Sequence, residues 1–281
     1  MRRLIINADD FGLTAGVNRG ILEGYENGVV SSTTVMACGQ RFQDAAALPE
    51  RAPRLSVGCH LVFVDGQPIL RPSQIPTLMG GNDGRFREKL LTFACLAATG
   101  KLAAGQIETE ATAQIQKLKS AGIAVSHLDT HKHTHMFPVV LRGMLRAAEN
   151  CGIRAIRNPF EPLVFASLRH WKRQFQLRML RRFRAGFRAA LANAGVATPD
   201  GCIGVAATGG VTLDSFERLI EGLPEGTWEF VSHPGYNDAD LDKVKTRLRD
   251  SREKELAILT SPSVKDLLRR EQIELISYRE L

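Results

Sequence analysis

The chain has 281 residues, of which 44% are apolar and 24% charged, and a formal charge of +7. That length allows one α/β barrel or two modest domains, and no Pro/Gly/Ser-rich linker divides it, so a single domain over 1–281 is expected. No apolar run approaches the ~20 residues that span a bilayer, and no basic leader with an apolar core opens the chain, so a soluble cytoplasmic protein is expected.

The first predicted element is Leu4 to Gly12, LIINADDFG, an apolar run too short for a helix and rich enough in Ile for a strand covered on both faces. It ends in two adjacent carboxylates, Asp9 and Asp10. Like charges disfavour joint ionisation, so something positive is expected beside them. Aspartate is also a preferred helix cap, and on this stretch alone a capping role for the pair stays open.

A helix over Ala15 to Asn27, a strand over Ser31 to Ala37 and a helix over Phe42 to Glu50 follow. Leu55 to Val62 is the next strand, with His60 near its end. Val64 to Arg85 is a Gly- and Pro-rich loop, longer than the usual connection and therefore expected to be functional. Helices are predicted over Phe86 to Ala98 and Ile107 to Ala121. The strand Ala124 to Asp129 then runs into THKHTHMFP, which sets His131, His133 and His135 at alternate positions; His127, on the strand itself, is assigned to packing. Pro138 to Asn150 reads as a helix and Ile153 to Arg157 as a short strand. Cys202 to Ala207, Thr227 to His233 and Ile273 to Tyr278 read as three more strands, with helices starting near Leu213 and Thr246. Five cysteines without CxxC spacing read as reduced thiols with no catalytic part.

Regular alternation of this kind predicts a parallel sheet with right-handed crossovers, here a distorted (β/α) TIM-like barrel of seven or eight parallel strands. Asp9 and Asp10, His60, Asp129 with His131, Arg157 with Asn158, and His233 fall at the C-terminal tips of separate strands, where such barrels carry their chemistry. One carboxylate and two imidazoles from different tips suit a mononuclear divalent metal: Zn, Mn, Ni or Co, and Mg less well because it prefers oxygen ligands. A non-haem iron oxygenase would use the same donors. The β/α pattern and the second carboxylate, Asp9, count against it.

The blocks NADDFG, NGVVSSTTVM, VGCHLV, HLDTHKHTHMFP and SHPGY, in that order from residue 3 to 236, with LISYREL at the end, resemble those of the YdjC-like carbohydrate deacetylases. That family removes acetyl from N-acetylated sugars with a metal ion on a distorted β/α barrel. HLVFVDGQPILRP and IPTLMGGNDGRF are similar to the hopanoid biosynthesis-associated (HpnK-like) members. The resemblance implies that Asp10, His60 and His131 bind the metal, that Asp9 is the catalytic base and that His233 is the general acid. Asp129 would orient a ligand histidine from behind; His133, His135, Arg157 and Asn158 would support the ligands or meet the sugar. An exchange of roles between Asp9 and Asp10 stays open. The implied substrate is an N-acetylglucosamine-type sugar, on the headgroup of a hopanoid glycolipid in the nearer subfamily, with a soluble chito-oligosaccharide as the alternative.

The net charge is local. Between Pro162 and Pro199 there is no Asp or Glu, while eight arginines and lysines occur, which leaves 29 basic against 30 acidic residues elsewhere. Over this insert, about 160–196, Leu168, Trp171, Phe175, Met179, Phe183, Phe187 and Leu191 recur almost every four residues, the pattern of an amphipathic basic helix. It reads either as an outer barrel helix with a solvated face or, through Leu168 to Leu191, as an element lying on anionic lipid at the inner face of the cell membrane. Charge confined to one segment argues against a nucleic-acid partner. A membrane-surface binder without catalysis is the non-enzymatic alternative, and a homodimer stays open.

Overall fold

The computed structural model describes residues 1–81, 83–162 and 181–281. Its centre is strand β1 (Arg2–Phe11), whose residues from Leu4 onward are all buried. Along one edge β1 pairs in parallel with β6 (Gly226–Ser232). Its other edge is shared: β7 (Ile273–Ile276) takes Arg2 to Ile5, and β2 (Ser32–Val35) takes Asn7 to Phe11. From β2 the sheet continues to β3 (Ser56–Leu61) and β4 (Leu128–Thr130), and β6 carries β5 (Gly201–Ile203). Every pairing is parallel, as β-α crossovers require.

The result is a distorted (β/α) barrel. Between β4 and β5 the pairing thins to two single bridges, Leu128 with Ile156 and Ala155 with Ala197. The strand expected over Ile153 to Arg157 is reduced to these. Pro159 lacks an N–H and forces Asn158 into an extended form, so the ladder has no donor to continue with.

The helices are α1 (Ala15–Glu26), α2 (Leu90–Ala98), α3 (Ala104–Ser120), α4 (Pro138–Cys151), α5 (Arg184–Asn193), α6 (Leu213–Glu221), α7 (Asp250–Thr260) and α8 (Pro262–Arg270). Thr14 caps α1 through Oγ1, which accepts from Val17 N at 3.2 Å. Proline at the first turn opens α4, and Gly152 at φ 68 closes it. Among the described residues no helix is long and apolar enough to cross a membrane.

Several boundaries move from their expected places. Phe42 to Glu50 is a 3-10 helix over Phe42–Ala47 followed by one α turn, Leu48–Arg51. α2 starts four residues late because Phe86 is buried in a bridge to Met79. The β4 strand lies at the histidine end of the predicted stretch, and β5 stops at Ile203 because Gly204 turns the chain at φ 88. The last helical region starts at Asp250 and is split in two by Pro262. In the basic insert a 3-10 turn, Arg181–Phe183, leads into α5, and Phe187 and Leu191 are core residues at 1% exposure each. Phe187 packs edge-on to Phe160 at 5.5 Å between ring centroids. Leu168, Trp171, Phe175 and Met179 lie outside the described residues.

One close approach fixes the segment after β6. A Cβ added at Gly20 of α1 would stand 2.5 Å from the Cα of Gly235. Gly20→Ala is therefore expected to push α1 off this segment at an overpacking cost of about 1–3 kcal/mol. Gly105→Ala, whose Cβ meets nothing within 4 Å, is expected to be neutral or slightly stabilising. Thermal denaturation of the two variants checks both, and equal midpoints would refute the packing account.

Candidate metal centre and active site

Adjacent residues of a strand point to opposite faces, so Asp9 and Asp10 would not ordinarily share a site. Here the register of β1 against β2 shifts between Ala8 and Phe11, and Asp10 sits at φ 73. Aspartate tolerates this left-handed form better than most residues. The bulge re-aims the pair, so that both carboxylates face the mouth of the barrel. Both are nearly inaccessible to solvent, at 2% and 4%.

Asp10 Oδ1 lies 3.5 Å from His60 Nε2 and 3.8 Å from His131 Nδ1, and the two imidazole nitrogens are 3.4 Å apart. A tetrahedral ion with ligand bonds of 2.0–2.1 Å sets its donors roughly 3.3 Å apart, so this triangle needs little change to close on one. The three residues form a group that could hold a divalent ion. His60 Nδ1 meets both oxygens of Asp129 at 2.9 Å and Thr34 Oγ1 at 3.2 Å. That contact turns the lone pair of Nε2 toward Asp10. His131 is pushed down to about 4, by desolvation first and by His60 next, and so presents a neutral nitrogen. Desolvation works against ionised Asp10, but Arg252, whose Nη2 donates to Oδ2 at 2.6 Å, outweighs it and holds the carboxyl below the usual range.

A second group, Asp9 with His60 and Asp129, has the spacing of a metal set as well. Its carboxylates are already bound to a guanidinium. Arg157, fully buried, donates to Asp9 from Nη1 at 2.9 Å and Nη2 at 2.6 Å, pairs with Asp129 through Nη1, and donates to Glu229 from Nε at 2.9 Å and Nη2 at 2.6 Å. Asn7 Nδ2 adds a bond to Asp9 Oδ1 at 2.8 Å. Burial opposes ionisation of Asp9, yet the Arg157 charge and hydrogen bonds hold it well below the ordinary carboxylate range. Its Oδ2 faces His233 Nε2 at 3.8 Å, and the His233 backbone N–H donates to Glu255 Oε2 at 2.7 Å.

The remaining expected residues divide. His135 is buried between Thr130 Oγ1 at 2.7 Å and the Arg157 carbonyl at 3.2 Å, so it braces the backbone that carries Arg157. His133 has a left-handed backbone, φ 53, and a buried Nδ1 with no hydrogen-bond partner. Asn158 is not part of the site: its side chain donates to the carbonyls of Pro199 and Asp200, both at 3.1 Å, and staples two loops. His127 packs as expected, stacked on Tyr278 at 3.6 Å between centroids. Sequence reasoning missed Arg252, Glu229, Glu255 and Tyr278. The demand for positive charge beside Asp9 and Asp10 was the only signal pointing to any of them, and it pointed to a charge without an address.

Over residues 3–270 the chain matches the family model described as YdjC-like protein. A protein of Geobacillus stearothermophilus named carbohydrate deacetylase is 34% identical over 280 residues, which is 99% of this chain and 98% of that one. A protein of the same name from Listeria monocytogenes serotype 4a is 30% identical over 281 residues, 99% of this chain and 100% of that one. Among solved structures, one from Enterococcus faecalis V583, described as a candidate cellobiose-phosphate cleavage protein, superposes with a TM-score of 0.81 at 26% identity, covering 99% of this chain and 98% of that one.

The electrostatics of His60 make metal binding pH-dependent. Desolvation lowers its affinity for a proton, but Asp129, Asp9 and Asp10 overcompensate and push it up to about 9 without metal, from 6.5. A raised folded-state value stabilises the metal-free fold fully below the unfolded pKa, and that contribution is lost as pH rises through about 9. Because a ligand imidazole must be neutral, metal and proton compete. Zinc titrated calorimetrically between pH 7 and 8, in buffers of differing ionisation enthalpy, is expected to release close to one proton, with affinity rising about tenfold per pH unit up to about 9. Affinity independent of pH over that window would refute this account.

Proposed function

The chain belongs to the YdjC-like family, and on that footing we propose that it is a metal-dependent carbohydrate N-deacetylase, hydrolysing the acetamido group of an amino sugar to acetate and a free amine. The observation that carries the reading is the triangle of Asp10 Oδ1, His60 Nε2 and His131 Nδ1, at 3.4–3.8 Å, beside a separate carboxylate and imidazole, Asp9 and His233, that face each other at 3.8 Å. Asp10, His60 and His131 would hold the ion. Zinc, manganese, nickel or cobalt fits that donor set, and magnesium fits it less well. Once bound, such an ion supplies Lewis acidity toward the acetyl carbonyl and the attacking water.

The chain's own residues then divide the proton work. Asp9, kept ionised by Arg157, accepts the proton of the water at Oδ2, its oxygen nearer His233. His233 delivers a proton from Nε2 to the amide nitrogen, which is a poor leaving group until protonated. Asp129 keeps His60 in the tautomer that offers Nε2. This assignment gives Asp10 the ligand role and Asp9 the base role, supported by Asp10 Oδ1 standing 3.5 Å from His60 Nε2 and 3.8 Å from His131 Nδ1 while Asp9 Oδ2 faces His233.

The finer reading of the substrate is an N-acetylglucosamine-type headgroup carried on a hopanoid glycolipid, met at the inner face of the cell membrane. What supports it is the local charge of the 162–199 segment, where eight cationic residues stand without an acidic one. Phe187 and Leu191 are in the core and are not available to lipid. The interfacial part of the reading therefore rests on Leu168 to Met179, outside the described residues.

Acetate release and bound metal, measured on the same samples, test the assignment. Asp10→Asn and His60→Ala are expected to lose metal and activity together. Asp9→Asn is expected to keep its metal and lose about 10²–10⁴-fold in kcat. Undiminished turnover by Asp9→Asn would sink the base role, and turnover that stops when O₂ is removed would favour the iron oxygenase. If the free headgroup sugar is deacetylated as well as the lipid-linked form, the membrane reading fails.

A further inference from the structure

Two buried groups have no part in the hydrolysis described above. Glu229, on β6, is fully buried, and its Oε1 accepts from Nε and Nη2 of Arg157 at 2.9 and 2.6 Å. Its Oε2 accepts from the phenol of Tyr278 at 2.6 Å. Tyr278 lies just after β7 and is 3% exposed. It is wedged flat against His127, at 3.6 Å between centroids and 8° between planes, and its backbone N–H donates to Ser32 Oγ at 3.3 Å. His127 is itself fixed by Ser126, Oγ to Nδ1 at 2.8 Å.

A third carboxylate under Asp9 and Asp129 is costly. Burying charge rarely adds stability over an apolar filling, and Arg157 already had two anions. What Glu229 adds is direction. A guanidinium is a rigid plane with donors on fixed edges. Asp9 takes the Nη1 and Nη2 edge, with Asp129 also at Nη1, while Glu229 alone takes the Nε and Nη2 edge, so the plane is held on both edges and cannot swing about either. Glu229 holds this pose while its far oxygen has a donor, and among the described residues that donor is the Tyr278 hydroxyl.

We propose that Tyr278 and Glu229 are positioning residues for the deacetylation: through Arg157 they set the aim of Asp9, so that the segment after β7 controls turnover without touching metal or substrate. The proposal rests on Asp9 being the base. Neither residue contacts Asp10, His60 or His131 directly; the route to His60 runs through Arg157 and Asp129, and Asp129 keeps its bonds to His60 Nδ1 in either variant, so catalysis is expected to fall further than metal binding. A carboxylate displaced by about 1 Å from a reacting water loses on the order of 10²-fold in rate with little change in binding.

The test uses the full-length, zinc-loaded enzyme acting on an N-acetylated chito-oligosaccharide, as wild type, Tyr278→Phe, Glu229→Gln and the double variant. Tyr278→Phe keeps the ring stacked on His127 and removes one oxygen. Expected are falls in kcat of about tenfold or more for each single variant, KM and zinc Kd within about twofold of wild type, and a double variant no slower than Glu229→Gln alone, because the two act in one chain. Solvent exchange of the Arg157 Nε–H, followed by NMR, should quicken in Tyr278→Phe, and it reports on the anchor even in the absence of turnover. Unchanged kcat with unchanged exchange would overturn the proposal, as would loss of zinc affinity and thermal midpoint in step with kcat, the mark of a purely structural role. Slower turnover in these variants while Asp9→Asn remains fully active would instead overturn the base assignment.

Discussion

A single buried guanidinium allows this barrel to keep three carboxylates in its interior. Arg157 meets Asp9, Asp129 and Glu229 at once, and each is nearly or wholly closed to solvent. Carboxylates so placed would otherwise take up protons to escape desolvation. Asp10 has a guanidinium of its own, Arg252. A divalent cation held by Asp10, His60 and His131 would add positive charge beside this carboxylate-rich interior. Without it the interior draws a proton onto His60, which is why that imidazole is so basic. The same carboxylates that would favour a metal there raise the ligand it would have to deprotonate.

Geometry around this charge pattern is made by departures from regular structure. The bulge at Asp9 and Asp10 sets two neighbouring side chains on one face. Beyond β4, Lys132 at φ 56 and His133 at φ 53 fold the chain tightly enough for His131 to turn back onto the ion site while His135 reaches down to the Arg157 carbonyl. Lys132 is tied to Asp65 at 2.5 Å, so the long loop after β3 joins the same knot. Left-handed non-glycine residues cost of order 1–3 kcal/mol each and persist only where surroundings over-determine them. Here hydrogen bonds and ion pairs on both flanks do so.

Much was legible from the sequence. Apolar, β-branched runs alternating with helical periodicity fix a parallel β/α architecture, because each period admits one kind of packing. Position along a strand is also local information, so Asp9, Asp10, His60, Asp129, His131 and His233 could be placed at the barrel mouth without coordinates. The like-charge pair at residues 9 and 10 demanded a cation for the same local reason. Pattern also misled in places: Asn158 sits beside Arg157 at a strand tip, yet its amide serves loop carbonyls. Two of the three described positions of the amphipathic stripe, Phe187 and Leu191, lie in the core, and periodicity alone cannot tell a protein interior from a lipid surface.

The sequence by itself determined the elements, their order and the donor-bearing tips, since these follow from spacing within a few residues. Only the tertiary structure decided which donor answers which carboxylate: Arg157 for Asp9 across 148 positions, Arg252 for Asp10 across 242, and Tyr278 for Glu229 across 49. No periodicity links such positions. They meet because closing a barrel brings distant strand ends and the segment after β7 into one small volume, and in that volume water is scarce enough that buried charges need partners.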